Sequence, residues 1–524
     1  MKNKILKNVI VILVITVLAK ISSFFAEIVV AALLGTTEKA DAFSIISGVH
    51  QIIYPMLSVG IWGLFLPEYK KVLIKESSED ADKLSNKVLS IFLIISMVAS
   101  TIIWIFAKQL IDIIAIGFNE ELKNVSINLL RIYSPYFVLV IISAIYAAML
   151  QARENFLGSQ IREVVSFLPT IFLGKLLYCM YDLNGLIYAL LIGGICRLVI
   201  IFPFINWKYK FKFDFDFKDS RIIMMIKKVP SVLINTGITQ INTLVDKMMA
   251  TGLIIGSVAS LNYGQKLINV VNGLLTSTVS TAIYPTMTQF VAEGKKNSLK
   301  TLIEKIIKIL AIIIIPLSIL VILFRKEIVT IVFKRGMFGD DSVLTTSNVF
   351  AFYAIGLYFI GIKSIFDHVF YSIGDTKSMM YISIVSVVLN ISFNMILVKI
   401  FGIIGLSLAT SISAILTIIL NIILLRKYLK LELYKTLIFL LKIIGISIIS
   451  IMIPYYIIDI IGISNLFIKI MLVIIFASII YFIELLVFKI EEYKEIMMMA
   501  KTWLLKIKEK KENKNGNNKK SINV

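Results

Sequence analysis

KISSFFAEIVVAALLGTTEKADAFSIISGVHQIIYPMLSVGIWGLFLPE (residues 20–68) is apolar enough to form two membrane-spanning helices. It nevertheless places Lys20, Glu27 and Asp41 inside or beside those helices. An ionisable side chain at membrane depth costs about 2.5–3.5 kcal/mol on insertion scales, and it usually faces a cavity or a partner. The stretch therefore predicts one half of a polar cleft through a membrane protein, and the other half has to come from elsewhere in the chain.

The composition of the whole chain supports the membrane assignment. Its 524 residues are 58% hydrophobic and 17% charged, whereas soluble domains are roughly 45–50% apolar and about 25% charged. The apolar runs are long and continuous, which favours helices over the alternating short strands of a barrel. We expect an all-α integral membrane protein.

The positive charge is concentrated between the apolar runs. Net charge is +21, from 54 Lys and Arg against 33 Asp and Glu, and the densest basic block is residues 506–520. This pattern is typical of cytoplasmic loops facing an anionic leaflet, and it predicts a cell-membrane protein with both termini cytoplasmic. The basic tail lacks aromatic stacking residues, so we expect membrane lipids and no nucleic acid as partners.

Fourteen runs are long enough to span a membrane. Four pairs of landmarks recur along them at offsets of 218 to 220 residues: Glu27 with Asp246, Pro67 with Pro285, Asn155 with Asp375, and Gly185 with Gly405. The offset predicts two pseudo-repeated six-helix lobes plus two C-terminal helices, and transporters built from repeats hold their site between them. The expected spans are 6–34, 42–66, 88–107, 127–150, 160–179, 185–206, 228–253, 262–291, 302–324, 347–372, 378–400, 403–425, 435–459 and 464–488.

The repeat also predicts the domain organisation. The expected parts are an N-lobe (1–206), a cytoplasmic connector (207–227), a C-lobe (228–425), two extra helices (426–488) and a basic cytoplasmic tail (489–524).

Both halves carry polar groups suited to the cleft. The first half offers Lys20, Glu27 and Asp41, and span eight adds Asn262, Gln265 and Lys266 as the other expected cleft residues. Span seven carries two further polar groups, Asp246 and Lys247. One interpretation is that Lys20 and Lys266 bind an anionic head group while Glu27 and Asp41 balance their charge. The alternatives are a structural ion pair or lysines that reach the interface, and helix capping in the case of Asp41.

A second group of oxygen-bearing side chains lies in the C-terminal half. Asn390 and Asn394 share one helix face at spacing i, i+4, and Thr410 and Asp246 could join them. One carboxylate with neutral oxygens suits a monovalent cation better than a tightly held divalent one. We therefore expect Na⁺ or H⁺ as a possible coupling ion and no other cofactor, with interhelical hydrogen bonding as the alternative.

The sequence contains few patterns that are typical of an enzyme active site. Asp214 and Asp216 form an acid-x-acid pair, as in metal-dependent sugar transferases, but they lie in the alternating aromatic and charged segment YKFKFDFDFKDS (209–220) with no catalytic domain around them. The chain has no phosphate-binding Gly-rich loop and no zinc-ligand spacing. We interpret the segment as an interfacial connector and the protein as a non-enzyme.

The order of short motifs along the chain resembles the MviN/MurJ family of lipid II flippases, within the multidrug/oligosaccharidyl-lipid/polysaccharide exporter superfamily. The resemblance covers roughly residues 15–430, and its motifs are AEIVVAALLGTTEKADAF, LFLPEYKK, LVDKMMA, SLNYGQKL, VFKRGMF, FYSIGDTK and GLSLATSISA. It places Asp41 at the family's ADAF acid and Lys266 at its helix-eight arginine. Ala26 stands where the family has an arginine just before the acid, here Glu27.

The resemblance implies fourteen helices in two lobes, with a central cleft that opens to each side of the membrane in turn. The implied cargo is an undecaprenyl-pyrophosphate-linked cell-wall precursor, moved from the inner to the outer leaflet by a monomer, and the two extra helices would hold its lipid tail. The alternative functions are export of another undecaprenyl-linked polysaccharide repeat unit and cation-coupled drug export.

Overall fold

The computed structural model describes residues 2–205, 209–216, 218–463 and 465–493, and within these ranges the regular structure is helical, with no strand. The helices are α1 (Lys2–Leu34), α2 (Glu38–Gly60), α3 (Leu66–Lys75), α4 (Ser78–Ile105), α5 (Ala107–Ile114), α6 (Glu120–Tyr133), α7 (Tyr136–Ala152), α8 (Phe156–Val165), α9 (Leu168–Tyr181), α10 (Leu183–Val199), α11 (Ser220–Thr251), α12 (Ser257–Ala292), α13 (Lys296–Leu323), α14 (Arg325–Phe333), α15 (Asp340–Ile373), α16 (Thr376–Phe401), α17 (Ile403–Leu425), α18 (Leu433–Ile461) and α19 (Leu466–Val487). A π-helical turn, Ile61–Phe65, joins α2 to α3, and a short 3₁₀ turn, Phe202–Phe204, follows α10.

Eleven helical segments in the described part of the chain are long and apolar enough to cross a membrane. The expected all-helical membrane architecture is therefore confirmed, whereas the count of fourteen is not. The other three expected spans coincide with α2, α11 and α12, the helices that carry five of the ten predicted site residues. The eleven segments are Val11–Leu34, Ser78–Ile105, Glu120–Ala152, Phe156–Tyr181, Leu183–Phe204, Lys296–Leu323, Asp340–Ile373, Thr376–Phe401, Ile403–Leu425, Tyr434–Ile461 and Leu466–Val487.

Proline positions explain why two expected spans are each divided into two helices. Pro135 precedes α7 and Pro169 lies in the first turn of α9. A proline has no N–H to donate and its ring clashes with the preceding turn, so it favours a helix start, although α12, α13 and α18 continue through Pro285, Pro316 and Pro454. Each expected span is consequently interrupted just before its proline.

The structure repeats backbone details at the sequence offset of 220. Asn155 caps α8 through the N–H of Gly158 at 3.1 Å, and Asp375 caps α16 through the N–H of Ser378 at 3.0 Å. A further hydrogen bond from the Ser378 hydroxyl lowers the pKa of Asp375 to about 2. The residues just before the two caps, Glu154 and Gly374, both have positive φ, at 63° and 80°. The two halves thus share local geometry as well as residue types.

Packing divides the chain into two compact units. Unit 1 comprises residues 1–270, 328–353 and 380–413, and unit 2 comprises 271–327, 354–379 and 414–524. The lobe boundaries expected from the repeat stay a prediction. Residues 494–524, nearly all of the expected basic tail, lie outside the described residues.

Each unit has its own apolar packing. In unit 1 a buried cluster joins α3, α4 and α7 and includes Tyr69, Leu84 and Ile145. In unit 2, α18 packs against α13 and α19, and the Tyr481 hydroxyl donates to the carbonyl of Ile312 at 2.9 Å. Lipid-facing side chains surround these cores, which is the expected arrangement for helices in a bilayer.

Candidate functional site

A buried carboxylate on α1 is the centre of the first site. Glu27 is 7% exposed, and its Oε1 accepts a hydrogen bond from Asn262 Nδ2 at 3.0 Å. Its Oε2 forms an ion pair with the Lys266 ammonium. Asn262 and Lys266 are four residues apart on α12, so they present their side chains on one helix face. One acid on α1 therefore holds two polar side chains of α12.

A cavity of about 230 Å³ opens beside this pair. Positions 20, 23, 24 and 27 recur at helical spacing, so one face of α1 carries both the cavity wall and the acid. The cavity is lined by Lys20, Ser23, Phe24, Asn262, Gln265, Lys266, Asn269 and Val270. The structure thus brings together five of the six residues expected in the cleft, and their substrate-binding role stays a prediction.

Asp41, the sixth expected cleft residue, has a different position. Its Oδ2 accepts from the N–H of Gly256 at 2.7 Å and its Oδ1 from the N–H of Ala259 at 2.8 Å. These N–H groups belong to the start of α12, where unpaired donors and the helix dipole favour a carboxylate. The capping alternative fits the geometry, but the capped helix is α12 rather than α2.

Three turns of unit 1 pack tightly against one another through backbone atoms. A Cβ added at Gly256 would lie 2.2 Å from the carbonyl oxygen of Thr36, and Gly256 has a φ of +84°. The N–H of Met337 donates to the carbonyl of Ala32 at 2.8 Å. The α1–α2, α11–α12 and α14–α15 turns therefore leave no room for a side chain between them.

Lys247, one of the two polar groups of span seven, is a buried cation. It is 4% exposed, and its Nζ donates to the carbonyl of Ser44 at 3.3 Å. The ammonium occupies the space that a side chain at Gly48 would fill, since a Cβ there would lie 2.4 Å from Nζ. It interacts electrostatically with Glu27 and Lys266. In the sequence, only its position beside Asp246 indicates that Lys247 belongs to the polar groups of the cleft.

The second expected group also comes together. Asn394 Nδ2 donates to Asp246 Oδ1 at 2.6 Å and to Asn390 Oδ1 at 2.9 Å, and Asn390 Nδ2 donates to Thr410 Oγ1 at 3.3 Å. Asp246, Asn390 and Asn394 are buried, and Asn394 Oδ1 has no hydrogen-bond partner in the structure. A buried oxygen without a donor beside a carboxylate is an arrangement that a small cation would complete.

The helices and the two sites define a class before any comparison is made. Many candidate membrane spans, a polar cavity lined by two lysines, and a buried acid–amide cluster are typical of a membrane transporter. No group of three or more His, Cys, Asp or Glu suited to a metal ion exists within the described residues.

A match to a protein-family model identifies the family of membrane transporters to which the chain belongs. The model described as lipid II flippase MurJ matches residues 30–478, and the chain belongs to that family. A probable lipid II flippase MurJ of Buchnera aphidicola subsp. Baizongia pistaciae is 24% identical over 424 residues, 78% of this chain and 81% of the relative. Its counterpart in Helicobacter pylori strain 26695 is 25% identical over 415 residues, 75% of this chain and 88% of the relative.

Solved structures show the same fold. A lipid II flippase MurJ in an inward closed conformation matches with a TM-score of 0.76 and 22% identity, covering 91% of this chain and 99% of that one. An inward-facing multidrug resistance transporter of the MATE family matches with a TM-score of 0.67 and 16% identity, covering 80% and 97%.

Proposed function

We propose that the chain is a flippase for a lipid-linked cell-wall precursor of the lipid II type. It moves this cargo from the inner to the outer leaflet by alternating access, as a step in peptidoglycan biosynthesis. Membership of the MurJ family favours this cargo over another polysaccharide repeat unit or a drug. The fold favours a transporter over a membrane-embedded transferase.

The observation that carries the proposal is the Glu27–Lys266 pair at the wall of the polar cavity. A diphosphate is a concentrated anion, and a lysine binds phosphate as a point charge. In the empty cleft Glu27 neutralises Lys266, whose side chain is 28% exposed and so remains accessible. The cargo's diphosphate competes with Glu27 for the ammonium, while Lys20 contributes a second charge across the cavity.

The lipid tail requires a separate apolar surface, and unit 2 contains one. A cavity of about 290 Å³ lies among α13, α15 and α18 and is lined by Ile315, Ser318, Ile319, Ile322, Ile355, Tyr358, Phe359, Leu440, Ile444 and Ile448. Nearly every lining group is apolar, which suits a polyprenyl chain and excludes a sugar. We assign the tail to this cavity and its helix α18.

The topology that we propose has fourteen spans, with α2, α11 and α12 added to the eleven apolar segments, and both termini in the cytoplasm. Two pseudo-repeated six-helix lobes followed by α18 and α19 give this count. The basic loops between spans support the orientation. The protein acts as a monomer and carries out no covalent chemistry on its cargo.

We further propose Asp246, Asn390, Asn394 and Thr410 as the site of a coupling ion, Na⁺ or H⁺. The carboxylate and the unpartnered oxygen of Asn394 are the supporting observations. A monovalent cation would receive oxygen ligands from this cluster, and a proton would instead reside on Asp246. Either would supply the energy for transport from its gradient, since the chain has no nucleotide-binding loop.

The test is expression in cells depleted of their own lipid II flippase. The wild-type chain should restore growth, and Lys266→Ala should not, because the diphosphate loses its accessible cation. Lys308→Ala is a matched control: Lys308 pairs with Glu492 at 2.7 Å and its side chain is also 28% exposed, but it does not line the polar cavity. Rescue of a capsule-export mutant without rescue of the depleted cells would contradict the lipid II assignment.

A further inference from the structure

The segment 209–216, which we name the connector segment, lies at the edge of the membrane. It follows the span Leu183–Phe204 and precedes α11, which begins at Ser220. Its backbone has no regular secondary structure. Because the span ends at Phe204, the connector segment begins within a few residues of the boundary between hydrocarbon and head groups.

Polar contacts hold the connector segment along α4. They use its backbone as well as its side chains, so the segment is fixed in place rather than free. The contacts are Tyr209 OH to Asn86 Oδ1 at 2.7 Å, Asn86 Nδ2 to the carbonyl of Lys210 at 3.3 Å, the N–H of Asp214 to Ser90 Oγ at 3.0 Å, and Lys87 Nζ to Asp216 Oδ2 at 2.8 Å.

One edge of the connector segment is aromatic. The ring centroids of Phe211 and Phe213 are 4.9 Å apart, and those of Phe213 and Phe215 are 5.9 Å apart. Phe213 is 66% exposed, and the two flanking rings are also exposed. Aromatic side chains of this kind are stabilised at the membrane boundary, where their apolar surface leaves water.

A cavity of about 480 Å³ adjoins this edge. Its size falls within the range of roughly 300–1,000 Å³ that is usual for small-molecule sites. The end of α10 contributes Val199, which is 54% exposed. The full lining is Tyr146, Val199, Phe202, Pro203, Ile205, Tyr209 and Phe211.

Charged side chains alternate with the phenylalanines along the connector segment. Lys210 and Lys212 are exposed, and among the ion pairs of the described residues neither takes part in one. The acid Asp216 is neutralised by Lys87, whereas Asp214 takes part in no ion pair among those residues and leaves the segment one positive charge in excess. A ligand here would therefore meet an apolar cavity beside a segment with a net positive charge.

We propose that the cavity and the connector segment form a binding site for an anionic glycerophospholipid of the adjacent leaflet. One acyl chain fills the cavity below Phe202 and Phe211, and the phosphate lies near Lys210 and Lys212. The site consists entirely of unit 1 residues and shares no side chain with the polar cavity at Glu27. It is independent of the transported cargo.

The continuity with the span Leu183–Phe204 is the reason for choosing a membrane lipid. The exposed side chains at the mouth, Val199 and Phe202, are the last turn of that span and contact acyl chains in any bilayer. The lysines select among those lipids, because an anionic head group gains attraction that a zwitterionic one does not.

The experiment measures lipids retained by the full-length protein. The protein is equilibrated with mixed micelles of phosphatidylglycerol and phosphatidylcholine, and bound lipids are counted by native mass spectrometry. Val199→Trp fills the cavity, so it should abolish one retained phosphatidylglycerol. Ile195→Trp is the control, because Ile195 is one turn earlier on α10, 49% exposed and outside the cavity lining.

Lys210→Ala and Lys212→Ala address the head group without filling the cavity. Each should lower the preference for phosphatidylglycerol over phosphatidylcholine about fivefold, the effect of one lysine near a membrane surface. Equal retention by wild type, Val199→Trp and the lysine variants would overturn the proposal. Displacement of the retained phosphatidylglycerol by polyprenyl diphosphate, but not by further phosphatidylglycerol, would overturn the choice of a phospholipid.

Discussion

Glu27 shows how one residue can combine stability with function. Its carboxylate is buried among apolar helices and is compensated by Lys266 and Asn262. Removing one member of such a pair leaves an uncompensated charge, which is strongly destabilising, whereas removing both is often nearly neutral. A single substitution at Glu27 or Lys266 therefore changes stability and function together. Only substitution of both residues separates the effect on stability from the effect on function.

Asp41 provides a residue-scale prediction about stability. Asp41→Ala leaves the N–H groups of Gly256 and Ala259 unpaired, so we expect a loss of about 1–2 kcal/mol in the free energy of unfolding, as for other lost N-caps. Asp41→Asn keeps an acceptor oxygen and should lose less. In thermal unfolding in detergent, the midpoint should be highest for wild type, lower for Asp41→Asn and lowest for Asp41→Ala.

The control for this prediction is Asp182→Asn. Asp182 pairs with Lys39 at 2.6 Å, but both side chains are at least half exposed, and exposed pairs contribute roughly 0–1 kcal/mol. If Asp41→Ala unfolds at the temperature of Asp182→Asn, the carboxylate does not stabilise the start of α12.

The sequence predicted these residues unevenly. The residues of the Glu27–Lys266 pair between α1 and α12 could be predicted, because charges in apolar runs are conspicuous and because helical spacing places Asn262 and Lys266 on one face. The partner of Asp41 could not, since Gly256, the residue just before the capped helix, lies 215 positions later in the chain. The contacts of Lys247 could not be predicted for a related reason: the space it fills exists only because Gly48 has no side chain.

At the scale of elements, two glycines at the repeat offset allow close helix contacts. A Cβ added at Gly185 would lie 2.0 Å from the carbonyl oxygen of Leu177, and one added at Gly405 would lie 2.4 Å from that of Leu397. These are the turns from α9 to α10 and from α16 to α17. Backbone atoms cannot move aside as a flexible side chain can, so the helices would have to separate.

Gly185→Ala and Gly405→Ala should each be destabilising, by roughly 1–3 kcal/mol for overpacking. Gly445→Ala in α18 is the control, because an added Cβ meets no atom within 4 Å and alanine favours a helix over glycine by about 1 kcal/mol. Midpoints of thermal unfolding should fall for the first two variants and hold or rise for the third. Equal midpoints for all three would contradict the packing described.

The helix pattern itself was largely predictable. Long apolar runs correctly gave an all-helical membrane protein, and every expected span coincides with a helix or with a pair of helices. The interruptions at Pro135 and Pro169 could not be predicted from proline alone, because α12, α13 and α18 continue through their prolines. The helix α3 could not be predicted either, because most of residues 66–75 follow the end of the expected span at residue 66 and include charged side chains.

At the scale of the whole molecule, the coupling-ion proposal predicts a dependence on gradients. Transport by the wild-type chain in proteoliposomes should respond to an imposed Na⁺ or proton gradient, and Asp246→Asn should abolish that response, because the amide neither carries a charge nor takes up a proton. Asp367→Asn is the control: Asp367 pairs with Lys363 at 3.2 Å in unit 2. Wild-type transport that ignores both gradients would contradict the coupling proposal.

The central claim is that Lys266 binds the diphosphate of the cargo. Glu27 only forms an ion pair with Lys266 while no cargo is bound. The most direct measurement is transfer of a labelled lipid II across proteoliposomes by wild type, Lys266→Ala, and the double variant Glu27→Gln with Lys266→Ala. We expect the double variant to regain part of the thermal stability lost by Lys266→Ala, since the carboxylate that Lys266 neutralised is removed as well, and to remain inactive. Recovery of transport together with stability would show that the pair is only structural and would contradict the account.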